Sequence, residues 1–256
     1  MFNRLLISGA ILLGSLVLIS SSVNADVLNQ RDTLNGTFQA IPDASTAGVS
    51  RTINVVDNEI IQDISVTIEG LQHTFAGDLV ASLSRTDPVT GVTTSIQLFD
   101  RIQLANGPPG NFGDSSNFSG EYTFSSIESD PTNASNPASI WSEADSIPTD
   151  QIIQTSLSGQ LTANTFADTL QNSYFATDSV ETPLSFATNP DGTNRFADQS
   201  TQGIWNFQIS DENANNVGSF TGVTINFLSA PAVPEPSSAC LIAIGGLYFL
   251  RRRKKM

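Results

Sequence analysis

Cysteine is almost missing from this 256-residue chain, and its single copy, Cys240, lies in an apolar stretch close to the C-terminus. The rest of the chain must hold together without disulfides, by core burial alone. Histidine is equally scarce, since His73 stands alone. A metal centre of paired histidines is excluded, and a Ser-His-Asp triad has one candidate base. No Gly-x-Ser-x-Gly segment supplies a nucleophile elbow. Lysine occurs only as Lys254 and Lys255, and with Arg4 and Arg251 to Arg253 also at the ends, five arginines remain to face the 25 Asp and Glu of the chain. A body of that sign repels phosphate backbones, which excludes nucleic acid as a partner. It favours solubility and attracts cations or basic partners without naming one.

What the chain does have is two patterned ends. Residues 1–25 open with Arg4, continue as an apolar run from Leu5 to Ile19, and close on Ser20 to Ser22 and Val23-Asn24-Ala25. That is the layout of a cleaved secretory signal peptide, and it implies passage through the export translocon; the alternative is a retained signal anchor. Residues 230–256 carry Val233-Pro234-Glu235-Pro236, an apolar run from Ala239 to Leu250, and the basic stop Arg251, Arg252, Arg253, Lys254 and Lys255. Twelve residues of helix reach about 18 Å, short of the ~30 Å hydrocarbon core, so this helix suits a transient hold in the inner membrane. Its basic side chains snorkel to the cytoplasmic interface. Pro234 and Pro236 keep the chain extended outside the membrane, where a processing enzyme can grip it. The alternative is a plain single-pass anchor behind a proline-containing linker, with Cys240 as a small apolar filler.

Together, Pro-Glu-Pro, short span and basic cluster resemble the PEP-CTERM sorting signal. The resemblance implies an exosortase-type processing enzyme as partner, removal of the tail, and delivery to the cell surface or extracellular matrix of a Gram-negative, exopolysaccharide-making bacterium.

Between the ends the pattern has a period of two. Ile64, Val66 and Ile68 alternate with Asp63, Ser65, Thr67 and Glu69, as in a strand with one apolar and one wet face. Leu79, Ala81 and Leu83 repeat this, Arg85 to Val92 holds Asp87-Pro88 and Thr90-Gly91 turn chemistry, and Ile96 and Leu98 resume it. Trp205, Phe207 and Ile209, a polar turn from Asp211 to Gly218, and Val223, Ile225 and Phe227 read as a closing hairpin. Outside the ends no apolar stripe has helical spacing. The expected fold class is all-β, a β-sandwich with little helix, flanked by a signal helix and a short C-terminal transmembrane helix. Residues 26–49 are expected to be an N-terminal extension and 50–229 the sandwich. From Ala105 to Gln202 long loops are expected, with islands such as Tyr122 to Phe124 and Leu184 to Phe186 pairing into the sheets; the pattern does not fix their register.

His73-Thr74-Phe75-Ala76-Gly77-Asp78-Leu79 after a β-run, and Gly203-Ile204-Trp205 with Asp211 and Gly218 before a last strand, resemble the P domain, or homo B domain, of subtilisin-like proprotein convertases. The resemblance spans about Ser50 to Leu228 and implies a jelly-roll sandwich. P domains usually follow a protease domain; here about 25 residues separate the expected signal cleavage from the first strands, so a domain standing without one is expected.

Few constellations carry chemistry. His73 is expected in a turn, bonded to backbone or to Asp78, rather than paired with a nucleophile. Asp211-Glu212-Asn213-Ala214-Asn215-Asn216-Val217-Gly218 presents oxygens at alternate positions but lacks the bidentate Glu of an EF-hand, and a polar turn explains it better. The P-domain resemblance makes Asp78 and Asp211 candidate calcium ligands. Thr67, Ser82, Thr94, Asn206, Gln208, Thr224 and Asn226 on wet strand faces, with Tyr122, Trp141 and Tyr174 as stacking candidates, could hydrogen-bond exopolysaccharide or simply meet water. The expectation is a non-enzymatic exported surface or matrix protein with no obligatory cofactor. The alternatives are a calcium- or glycan-binding module and a hydrolase or protease-associated domain using His73.

Overall fold

The structure is a computed structural model of the chain, and it describes residues 26–33, 37–102, 113–125, 138–148, 150–156, 174–178 and 182–231. In chain order the strands are β1 (Asp26–Thr33), β2 (Gln39–Ile41), β3 (Ser45–Val55), β4 (Glu59–His73), β5 (Leu79–Thr86), β6 (Thr93–Asp100), β7 (Phe118–Ser125), β8 (Ala138–Ser139), β9 (Tyr174–Thr177), β10 (Pro183–Leu184), β11 (Gly203–Asp211), β12 (Gly218–Phe220) and β13 (Gly222–Pro231). A 3₁₀ turn, Ala76–Asp78, separates β4 from β5, and one short helix, α1 (Ile140–Ser146), follows β8.

Nine strands form one sheet along the path β1-β13-β4-β7-β9-β10, with β12 joining β2 to β4 and β8 lying beside β9; β3-β11-β5-β6 form the other. Pairing is antiparallel except where β9 runs parallel to β7 and β8. The alternation read from the sequence decides which side of each strand faces in. Ile64, Val66 and Ile68 of β4 are fully buried, as are Leu79, Ala81 and Leu83 of β5 and Val223, Ile225 and Phe227 of β13. Each such Val, Leu, Ile or Phe side chain contributes about 1.5–3 kcal/mol of burial. Aromatic rings lock the two layers together. Trp205 of β11 lies 5.0 Å from Phe227 of β13, and Phe99 of β6 lies 5.4 Å from Phe124 of β7, ring centre to ring centre.

The expected all-β class holds, as a two-sheet structure with almost no helix. Tyr122 to Phe124 pairs into the sheet within β7, and Leu184 belongs to β10. The expected closing hairpin is corrected: β11 pairs with β3 and β5, whereas β13 pairs with β1 and β4, so the 211–218 turn carries the chain from one sheet to the other. Alternation fixes which face a strand buries but says nothing about which layer it joins.

The expected extension is likewise part of the sandwich. Residues 26–49 supply β1, β2 and the start of β3, and β1 pairs with β13 over its whole length. Asp26–Thr33 has only Val27 and Leu28 as apolar residues, adjacent to one another, so it shows no apolar period. At this edge Arg51 of β3 donates from Nε and Nη2 to the Asp32 carboxylate of β1, both at 2.8 Å, tying one sheet to the other. Among the described residues no helix is long and apolar enough to cross a membrane. The signal segment 1–25, the motif Val233 to Pro236, Cys240 and the basic stop Arg251 to Lys255 lie outside the described residues.

Candidate functional site

Of the places where the chain passes between the sheets, two touch each other. At the first, β4 ends on His73, the 3₁₀ turn bends the backbone, and β5 begins at Leu79 in the opposite layer. At the second, β11 ends on Asp211 and β12 begins at Gly218 back in the first layer. Gly218 is paired directly with His73. The two segments, distant in sequence, form one corner of the sandwich.

The corner is held by side chains buried almost completely. His73 Nε2 donates to Asp211 Oδ2 at 3.0 Å, and neither side chain is exposed. His73 Nδ1 lies against its own turn, 3.1 Å from the Phe75 N–H and 2.8 Å from the Phe75 carbonyl oxygen. The other Asp211 oxygen accepts the Asn213 N–H at 3.2 Å. Asp78, 2% exposed, accepts from the Asn213 side-chain amide at 2.6 Å and from that of Asn216 at 3.1 Å. The Glu212 N–H donates to the Asp78 carbonyl at 2.8 Å, and Thr74 Oγ1 donates to Asn216 Oδ1 at 3.0 Å. Apart from the exposed Thr74–Asn216 bond, these are charge-assisted or buried hydrogen bonds, the kind that lose most when one partner is removed.

Two glycines make the approach possible. A Cβ on Gly218 would sit 2.4 Å from His73 Cδ2, and one on Gly77 would sit 2.7 Å from the Asp114 nitrogen and 2.8 Å from the Ile102 carbonyl oxygen. The positions singled out in the sequence thus divide into two groups. His73, Thr74, Gly77, Asp78, Leu79, Asp211 and Gly218 meet at this corner. Gly203 and Trp205 lie at the other end of β11, about 20 Å or more away at ~3.3 Å per residue.

Around Trp205 a second buried polar group appears. Arg85, 1% exposed, stacks its guanidinium 5.9 Å from the Trp205 ring centre. It donates to Gln199 Oε1 at 2.8 Å and to the Gln202 carbonyl at 2.7 Å, and lies 3.4 Å from Asp87. Burial pushes its pKa down, against the opposing pull of Asp87. The Trp205 indole N–H donates to the Thr201 carbonyl at 2.9 Å. The sequence reading placed Arg85 in a loop. Its parity with Leu79, Ala81 and Leu83 is the signal that puts it on the inward face.

Several expected site residues are placed differently from the reading. His73 bonds to its own turn, as expected, but its carboxylate partner is Asp211 and not Asp78. The Asp78 and Asp211 oxygens already accept N–H donors, and a cation between them would have to displace those donors. Among the described residues no group of three or more His, Cys, Asp or Glu is gathered as metal ligands. Tyr122, Trp141 and Tyr174 are core residues, 0%, 6% and 3% exposed, and not free stacking platforms. Tyr122 Oη donates to the Ile153 carbonyl at 3.0 Å and Tyr174 Oη to that of Gln154 at 2.5 Å, pinning residues 150–156 along β7. Burial holds the Tyr122 phenol up at about 12 and pushes that of Tyr174 up as well.

The wet strand faces differ between the two sheets. Thr67, Thr224 and Asn226 on the larger sheet are buried, in a cross-strand network with Ser65, Thr123 and Glu69. Ser82, Asn206 and Gln208 lie half-buried on the outer face of the smaller sheet, whereas Thr94 pairs with Arg85 on the inner side. Strand register aligns Thr52, Asn206, Ser84 and Ser95 in one row across that outer face, with rows of Ser, Thr, Asn, Gln and one Ile on either side. None of these positions is charged.

No protein-family model matches the chain, and no curated protein matches it. Among solved structures it is similar to the serine protease of Aeromonas sobria in complex with its chaperone, at 14% identity and a TM-score of 0.38, covering 80% of this chain and 27% of that one. It is also similar to a second structure of the Aeromonas sobria serine protease, at 14% identity and a TM-score of 0.36, covering 79% of this chain and 27% of that one. The chain spans about a quarter of the length of these matched structures.

Proposed function

We propose that the protein is a non-enzymatic, exported β-sandwich of the P-domain-like, jelly-roll kind that acts as a structural or adhesive component of the cell surface or secreted matrix. The observation that carries the non-enzymatic part is the state of the one histidine. Both ring nitrogens of His73 are already engaged, its side chain is fully buried, and the partners are a carboxylate and its own turn rather than a hydroxyl or thiol. A general base must reach the proton it takes. His73 instead serves as a brace between two sheet crossings.

Export and sorting are supported by the two ends of the sequence. The signal segment directs the chain through the translocon, and the Pro234-Glu235-Pro236 motif, short apolar span and basic stop direct an exosortase-type enzyme to release the body. Intact-mass measurement of protein recovered from culture medium or matrix tests this. The expected mass lacks residues 1–25 and the chain beyond the Pro-Glu-Pro motif; a full-length chain confined to the inner membrane overturns it.

A second reading, a glycan-binding module, is favoured by the outer face of the smaller sheet. Its hydroxyls and amides offer donors and acceptors in three neighbouring uncharged rows, with Asp100 at their margin, in a chain of net charge -14, which suits a neutral polyhydroxyl chain better than a charged one. Asn206→Lys and Ser84→Lys, both pointing outward, are expected to abolish retardation in gels cast with neutral polysaccharide while leaving the melting temperature unchanged. Equal migration of wild type with and without polysaccharide removes this reading and leaves the structural one standing.

A further inference from the structure

Among the described residues seven large apolar side chains stand well out of the core, and four of them, Val56, Val89, Val92 and Ile204, gather at one end of the sandwich. Strand register brings them there. Ile204, 52% exposed at the start of β11, lies opposite Asn54 of β3 and Thr86 of β5, and Val56, 69% exposed, is two residues beyond Asn54. Thr86 is paired with Thr93 across the turn that carries Val89 and Val92, 89% and 60% exposed, past the end of the sheet. This turn is built to hold its shape. The Asp87 N–H donates to the Val92 carbonyl at 2.9 Å, and Asp87 Oδ1 accepts the N–H groups of Val89 at 2.9 Å and Thr90 at 2.7 Å.

The same end is where the chain enters and leaves the sandwich. Asp26, the first residue of β1, is paired with Ser229, and Pro231, the last of β13, with Glu59, three residues after Val56. Both segments expected to meet the membrane therefore join the body here. Only residues 232–238 separate Pro231 from the apolar run that begins at Ala239, and seven residues fully extended span at most about 25 Å. The run itself, as a helix, falls about 12 Å short of the hydrocarbon core, and a span that is too short draws the bilayer surface and its own flanks inward. The end of the sandwich is thereby held close to the headgroups.

We propose that this end of the sandwich docks on the lipid surface while the tail holds the chain, with Val56, Val89, Val92 and Ile204 reaching into the boundary between headgroups and acyl chains. The inference rests on the sorting-tail reading above and adds to it an orientation and a contact surface. Single exposed apolar side chains are ordinary on a protein. These four differ in standing where the tether is shortest, so the tail supplies a high effective concentration of lipid and little intrinsic affinity is needed. The exposed Asp57 and part-exposed Asp87 lie among them. The surface that fits is therefore zwitterionic, since anionic headgroups repel both.

The test uses the full chain with Cys240→Ser and one new cysteine, Val89→Cys or Val217→Cys, labelled with an environment-sensitive fluorophore. Val217, 71% exposed, precedes Gly218 at the opposite end, beside the His73 corner. The chain is reconstituted in phosphatidylcholine vesicles containing some nitroxide-bearing lipid. Emission from position 89 is expected to shift to the blue and to be quenched several-fold more than emission from position 217. Adding Val56→Asp and Val92→Asp, both at exposed positions outside the strands, abolishes the difference without lowering the melting temperature. Replacing part of the phosphatidylcholine with phosphatidylglycerol weakens the quenching, and stronger quenching overturns the zwitterionic assignment. Equal quenching at both positions, or none at position 89 in a chain that floats with the vesicles, overturns the docking and leaves the tail reading intact. A chain that does not float with the vesicles overturns the tail reading and the docking with it. A blue shift at position 89 that grows with protein density, without quenching by lipid, overturns the lipid assignment in favour of a second copy. If the double Asp variant fails to fold, the two probe positions in the otherwise unaltered body still decide.

Discussion

His73 and Gly218 make opposite demands on the same few cubic ångströms. The imidazole fills the space that a Cβ on Gly218 would need, at 2.4 Å. Gly218→Ala is expected to destabilise the protein by about 1–3 kcal/mol through overpacking, read by urea denaturation. His73→Ala is expected to cost more, about 3 kcal/mol or above, because it leaves the buried Asp211 carboxylate with the Asn213 N–H as its remaining hydrogen-bond donor. If His73→Ala unfolds at the same urea concentration as wild type, the bracing role is wrong. These residues were conspicuous in the sequence because their kinds are rare or punctuating, a lone histidine and isolated glycines. Their partners Asn213 and Asn216 were not conspicuous, since in a chain rich in Asn nothing distinguishes a turn amide that bonds to its neighbours from one that reaches Asp78, 135 or 138 residues away.

At the level of strands, alternation was a reliable guide to faces and a poor one to partners. It identified the buried stripes of β4, β5, β11 and β13. It could not separate a hairpin from a crossing between layers, and it missed β1, whose pairing depends on β13 rather than on its own pattern. The inward position of Arg85 was present in the same alternation, one step beyond Leu83. On β7, burial and then the nearby Glu69 charge push the pKa of Glu121 up, while Arg31 pulls it down. A carboxyl whose folded pKa is raised loses stability as pH climbs above the ordinary carboxylate range. Glu121→Gln should therefore raise the melting temperature at neutral pH, by an amount that solvent screening keeps under about 1 kcal/mol, and should do nothing in acid. At the β1–β3 edge, Arg51→Ala should cost about 1 kcal/mol and Arg51→Lys part of that, with amide exchange speeding up in β1 before β4. Uniform acceleration across both strands counts against an edge clasp.

For the molecule as a whole, two sets of carboxylates pull the pH profile in opposite directions. Asp87 is held low by the N–H groups of Thr90 and Val89, and Asp191 by the Thr193 hydroxyl and N–H. Their contribution is present above the unfolded pKa and is lost as pH falls through the lowered one. Asp100 and Glu121 are pushed up, chiefly by burial, so their cost is relieved as pH falls toward the ordinary range. With a net charge of -14 easing over the same interval, stability should peak in mild acid, just above ordinary carboxylate pKa values, and decline on both sides. Melting curves between about pH 3 and pH 8 check this; a steady rise toward neutrality contradicts it.

The corner also sets a timetable. Its two halves are 138 residues apart, and neither crossing can be braced until both have been made. A chain threaded N-terminus first through a narrow translocon cannot close this contact while its last strands are still on the near side. Contacts of such long range form late and slowly. Under the export proposed above, this connectivity would keep the fold open during transit, with the corner latching only after β11 and β12 have arrived.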